Sequence, residues 1–572
     1  MESQRFILFF IFAFSLFLLF DAWQRDQNPP AARDKPVAAA KQEPGVPPAP
    51  GAAAVPAPGA AAVPTPSVTA PAPAPTPAPS AGLAPGQAVT VQTDVFVAEI
   101  STAGGDLRKL TLKRHRDVED KRRDFVLFDQ RADHVYVAQS GLLGNDLPTH
   151  RTQYSAAQTA YQLDEGANVV EVRLEAPPAN GVKVTKVYRF TRGSYLIDVA
   201  FEIQNQGEAP IQPHGYFQLL RDDKPPAGDS AMLPTFTGVG VYTEKEKFQK
   251  IGLSDIEKGK ATYPKESNDG WIGMIQHYFV SAWLPRNGTP REFYVRRLDK
   301  LNAAGVIVPV QAIQPGGSTV LSVPLYAGPQ DQDKLAELAP GLDLSVDYGW
   351  LTIIASPLFW LLKWFYGWVG NWGVAIILLT VVIKLIFYPL SEASYRSMAK
   401  MRVLAPKLQR LKEQYGEDRQ RMQQAMMELY KTEKINPLGG CLPIIVQIPV
   451  FIALYWVLLA SVELRHAPFM LWIDDLSRPD TLFGVWFGMP VGLLPILMGA
   501  TMIIQTKLNP EPPDPVQAKV MKIMPIAFSV FFFFFPAGLV LYWLVNNILS
   551  IAQQWHINRV LERANLAPPR KR

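Results

Sequence analysis

The chain has 572 residues, length for about three or four ordinary domains, but only 19% are charged, below the roughly 25% of soluble domains, while 48% are hydrophobic and 51 are proline. Its mean hydropathy of +0.04 therefore averages unlike segments. One cysteine, Cys441, excludes an internal disulfide framework and a multi-cysteine zinc site, and a net charge of +5 argues against a nucleic-acid binder with a dominating basic face.

The N-terminus, Met1-Glu2-Ser3-Gln4-Arg5, is followed by an apolar run from Phe6 to Phe20, with Trp23 where an interfacial aromatic would sit. No small-x-small cleavage site comes after it, since the next residues are Asp21-Ala22-Trp23-Gln24-Arg25. Residues 1–23 are thus expected to form an uncleaved signal anchor rather than a removed secretory signal. Arg5 would keep the N-terminus in the cytoplasm and send the downstream chain outward. Residues 24–87, dominated by Pro, Ala, Gly, Val and Thr, bury too little apolar surface to fold and read as a disordered, semi-rigid tether.

Residues 88–340 change to alternating polar and apolar positions, as in Val170-Glu171-Val172-Arg173-Leu174 and Leu196-Ile197-Asp198-Val199-Ala200-Phe201, punctuated by Asn180-Gly181, Arg192-Gly193 and Gln206-Gly207. That pattern predicts a large exported antiparallel β-sandwich. Its histidines, His115, His134, His150, His214 and His277, lack metal-ligand spacing, and no nucleophile motif is present. Carbohydrate binding or modification by the sandwich stays open as an alternative.

Beyond Leu342 the chain is strongly apolar. Trp350 to Trp368 carries Pro357, Lys363 and the stripe Trp360, Trp364 and Trp368, whereas Val374 to Tyr388 is aliphatic apart from Thr380 and Lys384. The strongly basic stretch from Ser391 to Pro437 belongs in the cytoplasm, so one span must separate it from the exported sandwich. Residues 341–370 are therefore expected to form an amphipathic helix on the outer interface and 371–390 the second span. The same parity places a cytoplasmic helical hairpin at 391–437, a third span at 438–460, an outer loop at 461–482, a fourth span at 483–507, a cytoplasmic loop at 508–518, a fifth span at 519–535, a sixth at 537–557 after Pro536-Ala537-Gly538, and a basic cytoplasmic tail at 558–572. The fold class is a polytopic α-helical membrane protein of six transmembrane helices carrying a large outer β-sandwich, both termini cytoplasmic.

Lys384 is the ionisable side chain well inside an aliphatic span. It either snorkels to the nearby cytoplasmic end or faces a water-filled cavity within the bundle, since a lipid-facing cation costs at least a few kcal/mol. Thr380, one turn away on the same face, and Gln447, Gln505, Asn546 and Asn547 in other spans favour the cavity. No acidic residue accompanies them, which weakens an ion-coupled small-solute transporter, the leading alternative. In the hairpin, Met398, Met401, Leu404, Leu408 and Leu411 recur at helical spacing; Gly416-Glu417-Asp418 makes a turn and cap, and Met422, Met426, Leu429 and Tyr430 resume the period. The stripes either pack on each other or offer flexible methionines to varied apolar segments. The opposite, basic face either suits anionic lipid headgroups or ribosomal RNA phosphates or is simply a solvated charged face. No phosphate-cradling loop is present, so any driving energy must come from a partner, the membrane potential or burial of an apolar substrate.

Tyr388-Pro389-Leu390, Met398-Ala399-Lys400-Met401, Asn436-Pro437-Leu438-Gly439-Gly440-Cys441, Gln447-Ile448-Pro449, Pro495-Ile496-Leu497-Met498-Gly499 and Phe535-Pro536-Ala537-Gly538-Leu539-Val540-Leu541-Tyr542-Trp543 together make the chain resemble the YidC membrane protein insertase family in its Gram-negative form. The resemblance covers nearly the whole architecture. It implies a bacterial inner-membrane insertase and chaperone, no enzyme and no cofactor, with a periplasmic β domain and a cytoplasm-open hydrophilic groove holding one cation. The family often has arginine there; this chain offers Lys384, which keeps the charge but lacks the planar fork of donors. By similarity Thr380 and Trp543 lie near that cation. The spans from Cys441 to Ala460, with Pro443 and Pro449, and from Val520 to Phe535, with Phe528, meet the incoming segment. The implied partners are nascent integral membrane proteins, the Sec translocon with its accessory subunits, and the ribosome.

Overall fold

The computed structural model describes residues 83–226, 235–415, 418–433, 442–508 and 515–566. The expected anchor at 1–23, the tether up to residue 82, Cys441 and the last six residues of the tail lie outside the described residues. The described chain divides at Val346/Asp347 into two units.

The first unit is a sandwich of a ten-stranded and a nine-stranded sheet among the described residues. Alternation does what the sequence dictates: in the nine-stranded sheet, Leu196–Asn205 pairs antiparallel with Val182–Thr191 and with Ser318–Pro329, and Ile197, Val199, Phe201 and Ile203 are buried. In the ten-stranded sheet, His214–Asp222 lies between His134–Leu143 and Leu301–Pro309. One pairing departs from the antiparallel expectation, because Ala88–Gln92 runs parallel to the short strand Ala160–Gln162. Three-residue strands carry no alternation by which register could be read.

The two sheets meet through aromatic rings. Phe217 of one sheet packs between Phe201 and Trp283 of the other, with ring centroids 6.0 Å and 5.2 Å apart. A polar seam lies in the same core. Lys186 and Asp106 are both fully buried; the Lys186 ammonium donates to the carbonyls of Gly104 (3.1 Å) and Ser140 (3.0 Å), and Asp106 accepts from Gln139 Nε2 at 2.9 Å. Gln139 accepts in turn from Gln218 (2.8 Å), which accepts from the Tyr294 hydroxyl (2.9 Å). Burial pushes the Asp106 carboxyl up and the Lys186 ammonium down, each partly opposed by the other's charge.

The second unit is helical. Helix α1 (Thr352–Val369) buries Ala355, Phe359, Leu362 and Phe365 at helical spacing and exposes Ile353, Trp360, Trp364 and Trp368, so the amphipathic pattern is real. The residues just before it form a short 3₁₀ turn, Gly349–Leu351. Gly370, left-handed at φ 64°, ends α1, and the Asn371 side chain caps α2 (Trp372–Ile386) by accepting from Val374 N–H at 3.1 Å.

Helix α3 (Tyr388–Tyr415) comes immediately afterwards, and the α2–α3 pair is bent by 63°. Tyr388, Pro389 and Leu390, expected to finish the second span, therefore stand in the first turn of α3, which runs on into the expected hairpin. The cause is local: Pro389 has no N–H to continue the ladder and restricts the residue before it. Helix α4 (Arg419–Thr432) starts on an Asp418 cap that accepts from the N–H groups of Gln420 (3.2 Å) and Arg421 (3.1 Å), as the turn predicted. Helices α5 (Leu442–Ala460), α6 (Leu493–Leu508), α7 (Pro515–Phe532) and α8 (Ala537–Leu566) complete the unit. Helix α8 packs against α2, α3, α5 and α6, so it forms the spine of the bundle, and it continues nine residues past the expected end of the sixth span.

The expected fourth span divides. Residues 485–490 form a two-stranded ribbon, Val485–Trp486 against Met489–Pro490, and helix starts only at Leu493. Phe487 and Gly488, both at positive φ, make the two-residue turn, and Gly484, Pro490 and Gly492 punctuate a run whose hydropathy alone reads as a span. Among the described residues no single helix is long and apolar enough to cross a membrane; the bent pair Trp372–Ile386 with Tyr388–Ser397 meets that requirement together.

Candidate functional site

The polar residues singled out from the spans do meet, though through a partner that periodicity did not reveal. Lys384, on α2, donates from Nζ to the Ser550 hydroxyl on α8 at 2.7 Å. Ser550 donates one turn back to the carbonyl of Asn546 (2.7 Å), whose side-chain oxygen accepts from Gln447 Nε2 on α5 at 2.8 Å. A half-buried cation is thus tied through a hydroxyl and an amide to three helices. Among the described residues Lys384 forms no salt bridge. Asn547 adds a fourth helix by donating to Thr501 Oγ1 on α6 at 3.3 Å.

The α8 sequence explains this convergence. Trp543, Asn546, Ser550 and Gln554 fall at steps of three and four and share one face. Below the polar pair Gln554 donates to the Leu508 carbonyl (3.1 Å). Above it, Trp543 packs edge-on against Phe451 of α5 at 4.5 Å and against Phe532 of α7 at 5.2 Å. Trp543 therefore forms an aromatic roof joining three helices. Thr380 is fully buried and donates to the Ile376 carbonyl of its own helix at 2.7 Å. Its hydroxyl is engaged in its own backbone, while the hydroxyl on the cation is that of Ser550. No spacing within α2 pointed to Ser550; only the packing of α8 on α2 did.

The flanks of the site are apolar. On α7, Ile523, Met524, Ile526, Phe528, Val530 and Phe531 are exposed, and on α5 so are Val446 and Ile448, with Pro449 half-buried. Pro443 lies in the first turn of α5. On the hairpin, Leu404 and Leu408 of the methionine stripe are buried and Lys407 bonds Glu433 across the two helices at 2.7 Å. Met422 and Met426 are half-buried and Met427 is exposed, so the stripes partly pack on each other. Met398 and Met401 lie on α3.

The loop capping the far end of the bundle is tightly organised. Asp475 accepts from His466 Nδ1 (2.8 Å) and Ser477. Burial would raise its carboxyl, but those donors outweigh burial and hold it below the usual range. The carbonyls of Leu476 and Arg478 receive the N–H groups of Gly538 (2.9 Å) and Ala537 (2.7 Å), the first turn of α8. No group of three or more His, Cys, Asp or Glu suited to a metal ion occurs among the described residues.

Comparison with known proteins places this arrangement. The family described as YidC periplasmic domain matches residues 88–361, and the family described as 60Kd inner membrane protein matches residues 364–564. The membrane protein insertase YidC of Nitrosospira multiformis is 56% identical over 567 residues, covering 98% of each chain. That of Methylobacillus flagellatus is 56% identical over 566 residues, covering 99% of this chain and 98% of its own. Among solved structures, an active YidC insertase with its first transmembrane domain resolved aligns over 82% of this chain and 93% of its own, with 19% identity and a TM-score of 0.37. With two family matches that between them span nearly everything after the tether, and relatives identical at more than half their positions, the chain belongs to the YidC membrane protein insertase family.

Proposed function

We propose that this chain inserts integral membrane proteins into the bacterial inner membrane and helps them fold, through a hydrophilic groove that opens to the cytoplasm and holds Lys384. The observation that carries the reading is the polar line Lys384, Ser550, Asn546 and Gln447 across three helices of the membrane half, bordered by the exposed apolar residues of α5 and α7. A hydrophilic stretch of a nascent chain pays a large penalty in hydrocarbon, and a wet cationic groove part-way across lowers it. Acidic residues in that stretch are drawn to Lys384. The adjoining apolar segment then slides along α5 and α7 into lipid, driven by its own burial.

In this reading α2 with the start of α3, α5, α6, α7 and α8 provide five spans, the segment at 1–23 a sixth, and α1 lies on the periplasmic interface. Both termini, the α3–α4 hairpin and the basic tail face the cytoplasm, where the hairpin meets the ribosome and anionic lipids; the Sec translocon shares part of the traffic. Cys441, Pro443, Pro449 and Phe528 line the incoming segment's path, Thr380 stiffens the groove wall beneath the cation, and Met398, Met401, Met422 and Met426 receive apolar segments. The test is photo-crosslinking from positions 384, 447 and 543 to a stalled nascent membrane protein. Adducts from all three sites, absent from a probe at the sandwich surface residue Arg122, are expected; a purified, reconstituted protein that moves a small solute and yields no nascent-chain adducts would overturn the reading.

A further inference from the structure

The ribbon that interrupts the expected fourth span is an apolar prong with a rigid base. Its tip is fully exposed at Phe487, and its neighbours Val485 and Trp486 are 62% and 61% exposed. Such exposure of large apolar groups marks a surface built to be covered. The base is fixed by one buried carboxylate. Asp480 accepts from Leu482 N–H (3.0 Å) and Leu494 N–H (2.8 Å), the two ends of the excursion, and from Trp472 Nε1 (3.2 Å). Gly492 packs so closely that a Cβ there would lie 2.3 Å from the Asp480 carboxyl carbon. Above the base the Phe483 N–H donates to the Val491 carbonyl and the Val491 N–H to the Gly484 carbonyl, each at 2.9 Å, and the Trp486 indole donates to the Phe483 carbonyl at 3.0 Å.

We infer that this prong, Leu482 to Val491, is a membrane wedge that seats Val485, Trp486 and Phe487 in the interfacial zone of the outer leaflet. From Thr481 to Thr506 the sequence carries no charge, and α6, which begins two residues after the prong, exposes Ile496, Leu497, Ile503 and Ile504. The chain belongs to an inner-membrane family, so lipid is the apolar phase that these exposed side chains meet. Backbone chemistry sets the depth. A two-stranded ribbon has unpaired edges, which cannot enter the hydrocarbon core, whereas tryptophan and phenylalanine gain at the headgroup boundary where water still reaches those edges. The prong thereby fixes how far α6 sits in the bilayer. Lipid contact rests on the family's membrane residence; the assignment to the outer leaflet rests on the six-span topology proposed for the chain.

The test uses the full chain with Cys441→Ser, reconstituted in phosphatidylethanolamine–phosphatidylglycerol vesicles, with Phe487→Cys carrying an environment-sensitive fluorophore and Arg122→Cys, on the exposed face of the sandwich, as the aqueous reference. Nitroxide lipids labelled near the headgroup are expected to quench the 487 probe about two- to threefold more than lipids labelled deep in the acyl chain, with iodide quenching well below that of the 122 probe. Iodide quenching equal to the 122 probe puts the tip in water and overturns the inference. Stronger quenching by the deep label, or shielding from iodide and both lipids by a protein partner, overturns it equally. An impermeant maleimide added to spheroplasts labels Arg122→Cys if the sandwich is outside; lack of labelling there defeats the topology and the leaflet assignment, while the nitroxide comparison still decides lipid contact.

Discussion

Neutralising Lys384 tests whether the groove proposed above would act by charge or by polarity alone. In the present geometry its ammonium has one hydroxyl partner, Ser550 at 2.7 Å, and among the described residues no salt bridge offsets its charge. An acidic side chain of a substrate that comes within about 6 Å feels roughly 1.5–3 kcal/mol of attraction for an effective dielectric constant between about 40 and 20. Lys384→Gln removes that term, and Lys384→Glu reverses it, roughly doubling the change to about 3–6 kcal/mol. Each 1.4 kcal/mol is about tenfold in rate or equilibrium. Insertion of a substrate with an acidic periplasmic tail should fall by about ten- to a hundredfold in Lys384→Gln and further in Lys384→Glu, while a tail with the acids changed to Asn and Gln loses less than about threefold. Lys384→Arg should retain most activity, since charge and not the fork of donors is at stake. The assay is protease protection of radiolabelled substrates in proteoliposomes of each variant, with protein amount matched. Equal losses for the acidic and neutral tails would refute the electrostatic reasoning and leave Lys384 as a structural tie between α2 and α8.

Other outcomes are expected from the packing. Lys186→Met should destabilise the sandwich by up to about 3–5 kcal/mol, because it removes the larger of the two charges that offset the burial of Asp106 and leaves only Arg108, 3.9 Å away; replacing both as Asp106→Leu/Lys186→Met should recover much of that loss in thermal melts of the full-length protein in detergent, and a single-variant loss below about 1 kcal/mol would contradict it. Asp222 predicts a particular acid sensitivity. Burial raises its carboxyl, but bonds from His134 Nδ1 (2.9 Å) and Val135 N–H (2.8 Å) outweigh burial and hold it below the ordinary 3.8. A depressed folded-state value contributes stability above the unfolded value that is lost as pH falls through the folded one. The melting temperature should therefore drop below about pH 4, and Asp222→Asn should remove part of that drop; an unchanged profile would show that the carboxylate is not a source of it. Gly373 on α2 lies against the Phe469 ring, where a Cβ would sit 2.0 Å from Cδ2. Gly373→Ala should cost about 1–3 kcal/mol by overpacking, and Phe469→Ala should cost less in that background than alone, as read by a double-mutant cycle.

Local chemistry made much of this protein legible in the chain order. Alternation at Leu196–Asn205 and Val182–Thr191, the Asp418 cap, the tryptophan stripe of α1 and the Pro536-Ala537-Gly538 break each depend on neighbours a few residues away, and each appears where the sequence places it. Hydropathy could not separate ribbon from helix at residues 483–492, because both bury or expose the same apolar side chains; Gly484, Gly488 and Pro490 carried the distinction and were outweighed by the length of the run. The bend between α2 and α3 was likewise written in Pro389, but hydropathy runs straight through it.

The sequence by itself determined which segments are apolar, which loops are basic, and that Lys384, Gln447 and Asn546 are polar groups inside apolar helices. Tertiary structure alone decided their partners. Lys384 and Ser550 are 166 residues apart, and Gln447 and Asn546 are 99 apart, so only the packing of α2 and α5 on the α8 spine sets which donor meets which acceptor. Thr380 shows the converse: one turn from Lys384 in sequence, its hydroxyl bonds the backbone carbonyl four residues back. The reason is geometric. Helical periodicity assigns a residue to a face, but the identity of the opposing face depends on how several helices share one axis, and no segment encodes that alone.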